Sequence, residues 1–514
     1  MTLHVRWLGK VRYRDAHALQ RGLFASATDD HLLLLEHPHV YTLGVRADLA
    51  NVLVPPADVG AELVKTDRGG DVTYHGPGQL TGYPILHVPG KRGGGMADTV
   101  AYVRSVEQVI IDALADLGIE AGRLDRYPGV WVEDRKVCAI GVKLSRGRSM
   151  HGFALNVDPD LTMFDHIVPC GISDKRVTSL RAEGLDVTMA DVVDAITNRA
   201  VERWGANGHT RAGVSDFDAS VQIRRRPDGL QVNERKPEWL RAKANMGTDY
   251  LQLKRTMRDL DLVTVCEEAG CPNIFECWAD GTATFMINGE RCTRACGFCL
   301  VDTRHPMPLD PGEPVRVAEA VQRMGLQHAV VTAVARDDLD DGGAAAFAET
   351  IAAIRVRRPD CAVEVLIPDC KGEPAALDAI FAARPDVLNH NMETVARLQR
   401  TVRPSAGYAR SLSVLARGKA AGLTTKSGII LGMGETDDEV LDALADLRAV
   451  DVDIVTIGQY LRPTRDHLPV DRWVPPETFD SLRAAGEAMG IPHVESSPMT
   501  RSSYHARQAA DAAS

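Results

Sequence analysis

A strand–helix unit repeats through the second half of this 514-residue chain. Apolar runs of strand length recur at Thr284–Ile287, His328–Val334, Ala362–Ile367, Val387–Met392, Thr424–Leu431 and Ile454–Tyr460. Stretches that predict helices lie between them, at Val315–Met324, Ala344–Arg357, Ala409–Ala421 and Asp437–Val450. Such alternation predicts an α/β fold with a parallel sheet, closed or partly closed as a barrel. In such barrels the chemistry lies at the carboxyl ends of the strands.

Six of the ten cysteines lie between Cys266 and Cys299, in two unlike triplets. Their spacings are C-x4-C-x5-C for Cys266, Cys271 and Cys277, and C-x3-C-x2-C for Cys292, Cys296 and Cys299. The second triplet follows the first repeat strand, and it can hold three irons of a [4Fe–4S] cluster while leaving the fourth open. An open iron can bind a small molecule, which is the basis of radical chemistry from S-adenosylmethionine. The first triplet also offers only three thiolates, so a second cluster needs a further ligand from elsewhere.

Clustered cysteines also occur as disulfides in secreted domains and as structural zinc ligands. Disulfide-dense domains are small, whereas this chain is long and its start, MTLHVRWLGK, has no apolar signal core. Zinc sites typically pair C-x2-C units or combine cysteine with histidine, and neither triplet does so. No run reaches the roughly 20 apolar residues of a membrane span. The sequence therefore favours iron–sulfur clusters in a soluble, cytoplasmic protein with no membrane partner.

The length predicts at least two domains. A polar stretch with two prolines between Val214 and Leu240 is the best boundary, and it gives domains 1–215 and 237–514 with a linker at 216–236. The basic run Arg224–Arg226 is interpreted as part of a solvated linker, with a docking patch for an acidic carrier protein as the alternative. The net charge of −11 argues against general nucleic-acid binding, so no nucleic-acid partner is expected.

The first half predicts a mixed α/β sheet with functional loops. Its predicted elements are strands at Leu32–Leu35, Val130–Glu133 and Val137–Leu144 and helices at Ala97–Leu117 and Ala190–Trp204. The string RGGDVTYHGPGQL, from Arg68 to Leu80, is rich in glycine, which lets a backbone approach an extended ligand. A mobile glycine loop is the alternative.

Cys170 stands in HIVPCGISDK, between proline and glycine. A lone cysteine is commonly an inert buried residue. Lys136, in RKVCAIGVK, favours a functional role for Cys170, because a lysine near a thiol can lower the pKa of the thiol or accept its proton. Cys138, Cys361 and Cys370 are interpreted as structural thiols.

The second half resembles the lipoyl synthase family over roughly Pro237 to Ala506. The matching strings are CEEAGCPNIFECW, GTATFMINGERCTRACGFCLVDT, ARDDLDDGG, GIILGMGET and RSSY. The resemblance implies two [4Fe–4S] clusters, S-adenosyl-L-methionine and a low-potential electron donor such as ferredoxin or flavodoxin. It also implies ligands for a radical cluster (Cys292, Cys296, Cys299) and for an auxiliary cluster that donates its sulfides (Cys266, Cys271, Cys277 and Ser503, with Ser502 as the alternative). Taken alone, RSSY would be an ordinary helix start.

Roughly residues 1–215 resemble the lipoyl/octanoyl protein transferase family, which shares its fold with the biotin and lipoate protein ligases. The matching strings are RGGDVTYHGPGQ, PGVWV, KVCAIGVK, HGFALNV and IVPCGI. The resemblance implies that Cys170 is the nucleophile and Lys136 its proton partner. It implies an acyl tunnel lined by Arg68, Gly69, Gly70, Asp71, Val72, Thr73, Tyr74, His75, Ala139, Ile140, Gly141, Gly152, Phe153 and Ala154. The implied partners are octanoyl-acyl carrier protein and the lipoyl domains of 2-oxoacid dehydrogenases and the glycine cleavage H protein.

Together the halves predict a bifunctional lipoate-biosynthesis enzyme, an octanoyltransferase followed by a radical sulfurtransferase that inserts two sulfurs at C6 and C8. Three alternatives remain at this stage. The first half could be an ATP-dependent lipoate ligase or an inactive carrier-docking module. The cysteine region could be an iron–sulfur scaffold or electron carrier.

Overall fold

The computed structural model of the chain describes residues 1–90, 97–171, 174–214, 230, 235–240, 248–260, 262–264, 273–274 and 282–513. The chain forms two compact units, Met1–Ala219 and Ser220–Ser514. The predicted linker at 216–236 lies outside the described residues except for Leu230, Arg235 and Lys236, so its limits stay a prediction. None of the described helices is long and apolar enough to span a bilayer.

The first unit is an α/β structure. Its described strands are β1 (Leu3–Lys10), β2 (Asp30–Glu36), β3 (Val40–Leu43), β4 (Glu62–Lys65), β5 (Val72–His75), β6 (Gln79–Ile85), β7 (Gly122–Leu124), β8 (Tyr127–Val132), β9 (Arg135–Ser145), β10 (Arg148–Asn156), β11 (Arg176–Val177) and β12 (His209–Gly213). Its described helices are α1 (Tyr13–Ser26), α2 (Thr99–Asp116) and α3 (Met189–Trp204).

A mixed sheet runs through this unit in the order β12-β1-β2-β6-β10-β9-β8-β7, with β11 beside β9, and a smaller sheet has the order β4-β3-β5. Leu32 and Leu34 of β2 belong to the core formed with α2 and α3. Because side chains alternate along a strand, Leu33 and Leu35 point to the opposite face, where they are also buried. The leucine run of β2 is therefore buried on both faces.

The second unit contains a partial parallel barrel. Its described strands are β13 (Val263–Thr264), β14 (Thr282–Ile287), β15 (His328–Ala333), β16 (Ala362–Leu366), β17 (Val387–Asn389), β18 (Thr424–Leu431), β19 (Ile454–Gln459) and β20 (His493–Ser496). Its described helices are α4 (Thr248–Asp259), α5 (Glu313–Arg323), α6 (Ala344–Arg357), α7 (Pro374–Ala382), α8 (Gln399–Val402), α9 (Tyr408–Ala420), α10 (Asp437–Ala449), α11 (Pro476–Ala488) and α12 (Ala506–Ala513).

The strands of this sheet follow one another in chain order from β13 to β20. Strands β14 to β20 are parallel, and β13 is antiparallel to β14. The predicted parallel α/β sheet is confirmed. Its carboxyl edge gathers the loops that follow Ile287, Ala333, Leu366, Asn389 and Leu431.

Candidate active sites

The first unit has an open pocket, whose roughly 470 Å³ of empty space includes open solvent at its mouth. It is lined by Tyr13, Arg68, Gly69, Gly70, Asp71, Thr73, His75, Tyr83, Ala139, Ile140, Gly141, His151, Gly152, Phe153 and Ala154. Residues 69–71 and 139–141 are partly exposed, whereas the other lining residues are buried. The pocket therefore opens between the glycine-rich segment and the middle of β9 and closes toward α1, β6 and β10.

Twelve of the fourteen predicted acyl-tunnel residues come together at this pocket. The two exceptions, Val72 and Tyr74, lie in a separate core with Tyr41 and Phe164. They alternate along β5 with Thr73, which does line the pocket, so they face the other side of the strand. The glycine-rich string thus contains strand β5 and the start of β6.

Three lining residues were missed from the sequence: Tyr13, Tyr83 and His151. Tyr13 comes from α1 and Tyr83 from β6. His151 directly precedes the predicted Gly152, so the string HGFALNV held a usable signal. His151 has a positive φ of 61°, an uncommon conformation for a histidine that is found at functional sites.

Glycines bring the walls of this pocket close together. A Cβ atom on Gly152 would lie 2.2 Å from the carbonyl oxygen of Gly82, and one on Gly82 would lie 2.1 Å from the ring of Phe153. A Cβ atom on Gly141 would lie 3.1 Å from the carbonyl oxygen of Gly69. These positions need glycine because any larger residue would displace a pocket wall.

Buried polar groups fix the inner wall. Arg68 donates from Nη2 to the Thr42 carbonyl at 2.5 Å and to its hydroxyl at 2.9 Å. The Nδ1 atom of His75 lies 2.9 Å from Gln79 Oε1, and the Tyr83 hydroxyl lies 2.7 Å from His37 Nε2. Burial lowers the pKa of His75 far below its usual range and that of His37 to about 4. Both imidazoles are therefore neutral at pH 7.

A second polar group joins α1 to β10 beside the pocket. Asp67 Oδ1 lies 2.7 Å from His151 Nε2 and 3.5 Å from His17 Nε2, and Asp67 Oδ2 accepts from Lys143 at 2.6 Å. Burial, reinforced by nearby His151, lowers the pKa of His17 to about 4. The His151 hydrogen bond, together with Lys143, holds the pKa of Asp67 below its usual range. Because Lys143 already balances this carboxylate, the group is a structural tie and a poor site for a divalent cation.

The two predicted catalytic residues, Lys136 and Cys170, belong to different elements of this unit. Lys136 is buried in β9, with its ammonium 4.8 Å from the centre of the Trp131 ring. Cys170 belongs to the short 3-10 helix Pro169–Gly171, and its side chain lies outside the described residues. A Cβ atom on Gly171 would lie 3.0 Å from Asp71 Oδ2, so this helix borders the open side of the pocket.

In the second unit, the described cysteine triplet follows β14 at the carboxyl edge of the sheet. Cys292 Sγ accepts from the amides of Arg294 at 3.4 Å and Ala335 at 3.3 Å. Burial raises the pKa of Cys296, and it raises that of Cys299 to about 11. Buried thiols of this kind become thiolates when a metal binds them. The other triplet, Cys266, Cys271 and Cys277, lies outside the described residues.

The described thiols of the triplet do not all lie within 4.8 Å of one another. Among the described residues, the only three His, Cys, Asp or Glu side chains whose ligand atoms all lie within 4.8 Å of one another are His17, Asp67 and His151. The triplet is therefore wider than this. Thiolates around one zinc ion, at about 2.3 Å from it, would lie about 4 Å apart. A [4Fe–4S] cluster holds each thiolate on a different iron and needs the wider spacing.

Arg294 ties this cysteine loop to two other strand ends. It donates from Nε and Nη2 to the Asp337 carboxylate at 2.7 and 2.8 Å, and from Nη2 to Asp369 Oδ1 at 2.6 Å. Asp369 is fully buried. Burial would raise the pKa of Asp369, but the charge of Arg294 and its hydrogen bond outweigh this and lower it. The loop is thus fixed to the ends of β15 and β16 by a buried ion network.

The neighbouring segments also hold this loop. The Gly297 amide donates to the Val402 carbonyl at 2.9 Å, and a Cβ atom on Gly297 would lie 2.7 Å from the Leu468 side chain. Nearby, Asp338 pairs with Arg336 at 2.8 Å. Gly342 and Gly343 both have positive φ, and they lead into α6.

The two serines of RSSY differ in their surroundings. Ser502 Oγ accepts from Asn391 Nδ2 at 2.7 Å, so it is bound to the loop after β17. Ser503 makes no hydrogen bond with the described residues, and its side chain is partly exposed. Both serines come shortly after β20, at the same edge as the cysteine loop.

Comparison with known proteins agrees with this division. The lipoyl protein ligase A/B catalytic domain matches residues 12–200, the N-terminal domain of lipoyl synthase matches 208–271, and the radical SAM superfamily matches 286–447. Lipoyl synthase of Kineococcus radiotolerans is 56% identical over 273 residues, 53% of this chain and 82% of that protein. That of Mycobacterium avium is 55% identical over 283 residues, 54% of this chain and 92% of that protein.

Among solved structures, lipoate-protein ligase A bound with ATP is 18% identical, with a TM-score of 0.36, over 43% of this chain and 92% of that chain. The predicted ligase-like α/β fold of the first unit is confirmed by the domain match. The predicted cofactors are those of lipoyl synthase, which uses S-adenosylmethionine and two [4Fe–4S] clusters. The chain therefore belongs to the lipoyl synthase family of radical S-adenosylmethionine enzymes and carries a lipoyl protein ligase A/B catalytic domain in its first unit.

Proposed function

We propose that the two units act in succession on one lysine of a lipoyl domain. The first would transfer octanoyl from octanoyl-acyl carrier protein to this lysine, and the second would insert sulfur at C6 and C8. The observation that carries the proposal is the convergence of twelve motif residues on one pocket beside the helix of Cys170. The donor and acceptor proteins and the electron donor, a ferredoxin or flavodoxin, belong to the proposal.

The first reaction would proceed through an acyl-enzyme. The Cys170 thiolate attacks the thioester carbonyl, the carrier's thiolate leaves and takes up a proton, and a new thioester forms on Cys170. Lys136 then takes a proton from the acceptor lysine, whose amine displaces Cys170 and becomes an amide. Exchange of one thioester for another is near balance and formation of the amide is downhill, so the reaction needs no ATP.

The pocket suits a hydrocarbon chain. Its inner imidazoles are neutral at pH 7, and burial raises the pKa of Tyr13 to about 12 and that of Tyr83 still further, so these phenols stay neutral as well. Arg68 and Asp71 also line the pocket, but the neutral imidazoles and phenols and the narrowing by glycine favour a slender apolar chain. The carbonyl end of such a ligand would lie at the partly exposed side, near the helix of Cys170.

In the second unit, Cys292, Cys296 and Cys299 would hold the radical cluster. When bound, that cluster supplies an open iron for S-adenosylmethionine and the electron that cleaves it to a 5′-deoxyadenosyl radical. The backbone amides of Arg294 and Ala335 would stabilise the Cys292 thiolate, because N–H donors to sulfur favour its charged form.

The sulfur source would be a second cluster, consumed as substrate, on Cys266, Cys271, Cys277 and Ser503. Ser502 is hydrogen-bonded to Asn391, whereas the Ser503 hydroxyl has no partner among the described residues, and this supports Ser503 over Ser502. A serine oxygen is a harder ligand than a thiolate, and it would leave more readily as the cluster is dismantled.

The transferase proposal is tested by incubating the intact protein with octanoyl-acyl carrier protein and a lipoyl domain, without ATP or free lipoate. The intact mass of the lipoyl domain should increase by one octanoyl group, and Cys170→Ser should abolish the increase. Cys361→Ser, at a buried thiol of the second unit, is the matched control. Retained activity in Cys170→Ser, or a strict need for ATP, would instead establish a ligase.

A further inference from the structure

Exposed apolar residues border the open side of the acyl pocket. The segment 44–53, called the rim segment below, carries Val45, Leu49 and Leu53, whose exposed fractions are 63%, 66% and 56%. Single exposed apolar residues are ordinary on protein surfaces. Here three of them lie on one short segment beside the candidate pocket, where a second protein would bury them.

The rim segment is fixed to the pocket wall by hydrogen bonds. The amide of Val45 donates to the Arg68 carbonyl at 2.9 Å, and that of Arg46 donates to the Gly70 carbonyl at 3.2 Å. The Asp48 amide donates to Asp71 Oδ1 at 3.1 Å. The three acceptors all line the pocket, so the rim segment forms its outer border.

The same segment is joined to the chain that leads to Cys170. The Leu53 amide donates to the His166 carbonyl at 2.9 Å, and the Val168 amide donates to the Asn51 carbonyl at 2.8 Å. Asn51 Nδ2 also donates to Asp71 Oδ2 at 2.5 Å. The backbone of the rim segment is thus hydrogen-bonded to the pocket wall and to the chain before Cys170. This fixed backbone lowers the conformational entropy lost when a partner binds the exposed side chains.

We propose that the rim segment is the docking surface for the lipoyl domain that presents the acceptor lysine. This inference rests on the proposed transferase function. A lysine side chain is a four-carbon stem, so its amine reaches an acyl group at the opening only when the surface of its own domain touches the border of the pocket. The rim segment is the apolar part of that border. Burying its leucines against a carrier would supply binding free energy at the point where the lysine must enter.

The reach of the donor arm separates the two carrier proteins. Acyl carrier protein delivers its acyl group on a long phosphopantetheine arm, so the body of that protein need not contact the border of the pocket. The lipoyl domain has only its lysine. The structure therefore assigns the rim segment to the acceptor, and weakened acylation by the donor is a distinguishable outcome.

The test measures the two half-reactions separately on the intact chain. Acyl-enzyme formation is followed by the intact mass of the enzyme, first with a small octanoyl thioester and then with octanoyl-acyl carrier protein. Transfer is followed as loss of the acyl-enzyme over a series of lipoyl-domain concentrations. The variant is Leu49→Gln/Leu53→Gln, which adds no charge beside Asp71. The control is Val100→Gln, an equally exposed apolar residue on α2, which does not line the pocket.

The variant should raise the half-saturating lipoyl-domain concentration for transfer by about ten-fold and leave the rate of acyl-enzyme formation unchanged. Val100→Gln should change neither quantity. An unchanged half-saturating concentration in the variant would overturn the inference, as would slower acylation by octanoyl-acyl carrier protein with normal transfer. If the protein without substitutions formed no acyl-enzyme, the proposed function itself would be refuted. That measurement contains no lipoyl domain, so the two failures can be told apart.

Discussion

The two units recognise their ligands by opposite physical means. The inner wall of the pocket in the first unit contains His75 and His151, which burial keeps neutral at pH 7, beside the buried Arg68 guanidinium. The cysteine loop of the second unit rests on a charged network, with Arg294 between Asp337 and Asp369. Under the proposed function, the first arrangement would select an alkyl chain by shape. The second fixes a loop for a metal cluster and a charged cofactor.

The largest expected effect comes from inactivating one unit and measuring the activity of the other. Cys170→Ser should reduce octanoyl transfer by about a thousand-fold or more, because the nucleophile is lost. It should still insert sulfur into a lipoyl domain that already carries octanoyl. Cys296→Ala should show the reverse pattern. The intact mass of the lipoyl domain reads out both, and loss of both activities in either variant would show that the units are not chemically independent.

Removing the charge under the cysteine loop should affect the second unit alone. Arg294→Gln leaves the buried Asp369 carboxylate without its main partner, which should cost about 3 kcal/mol of unfolding free energy. It should also lower the iron content after reconstitution, since the loop loses its tie to β15 and β16.

Urea denaturation and iron analysis measure these two effects. The matched control is Arg323→Gln, which breaks an exposed pair with Glu319 on α5 and should change little. Equal effects in the two variants would mean that the buried network does not position the loop.

Acid should destabilise the first unit more than the second. Burial lowers the pKa of His17 and His37 to about 4, whereas an unfolded imidazole takes up a proton near pH 6.5. The stability of the folded unit is therefore full above about pH 6.5 and falls as the pH drops toward 4, by about 3 kcal/mol for each group. Among described histidines of the second unit, only His390 has a comparably lowered pKa.

Hydrogen exchange of peptides from each unit, measured in urea between pH 7 and pH 4.5, would resolve this difference. His37→Gln should reduce the pH dependence of the first unit. His209→Gln, at an exposed residue of β12, should not. A steeper loss in the second unit would contradict the assignment of the buried imidazoles.

The smallest expected effect sharpens the selection by shape. Gly82→Ala would push a methyl group toward the Phe153 ring and displace it, which should reduce octanoyl transfer by about ten-fold and shift preference toward shorter acyl chains. Gly122→Ala on β7, where a Cβ atom meets nothing within 4 Å, is the control. Competition between hexanoyl and octanoyl donors measures the preference. An unchanged preference would mean that Phe153 does not limit the chain.

The long periodic elements were predictable from the sequence. Strand Thr424–Leu431 and helix Ala344–Arg357 have the predicted limits. Glycine lies close to both ends of the strand, and the helix is preceded by glycine and followed closely by proline. Strand β17 ends at Asn389, earlier than the predicted Met392. The chain leaves the sheet there, with the Met392 amide donating to the Ser427 hydroxyl at 3.2 Å and Glu393 at a positive φ of 67°.

Helix α1 and strand β10 lack a clear apolar periodicity in the sequence. Helix α1 buries Asp15 and Gln20 beside Leu19 and Leu23, so its apolar face is interrupted by polar residues. Strand β10 reads RSMHGFALN; it lies between β6 and β9 and packs against α1, with Phe153 and Leu155 in the core. These elements supply Tyr13 and His151, two of the three lining residues that were missed.

Site prediction also differed between the units. In the second, Cys292, Cys296 and Cys299 could be placed at the carboxyl edge, because they follow the first strand of a parallel repeat. In the first, a mixed sheet offers no such rule, and the motif strings alone grouped Gly69, Gly141 and Gly152. They could not assign Val72 and Tyr74 to a face, since that depends on the register of β5.

The central claim is that one chain performs both steps. Anaerobically reconstituted protein would be given an unmodified lipoyl domain, octanoyl-acyl carrier protein, S-adenosylmethionine and a low-potential reductant, without ATP or free lipoate. The intact mass of the lipoyl domain should increase by one octanoyl group and two sulfurs. No increase in mass, under conditions in which the same protein inserts sulfur into a pre-octanoylated lipoyl domain, would contradict the claim.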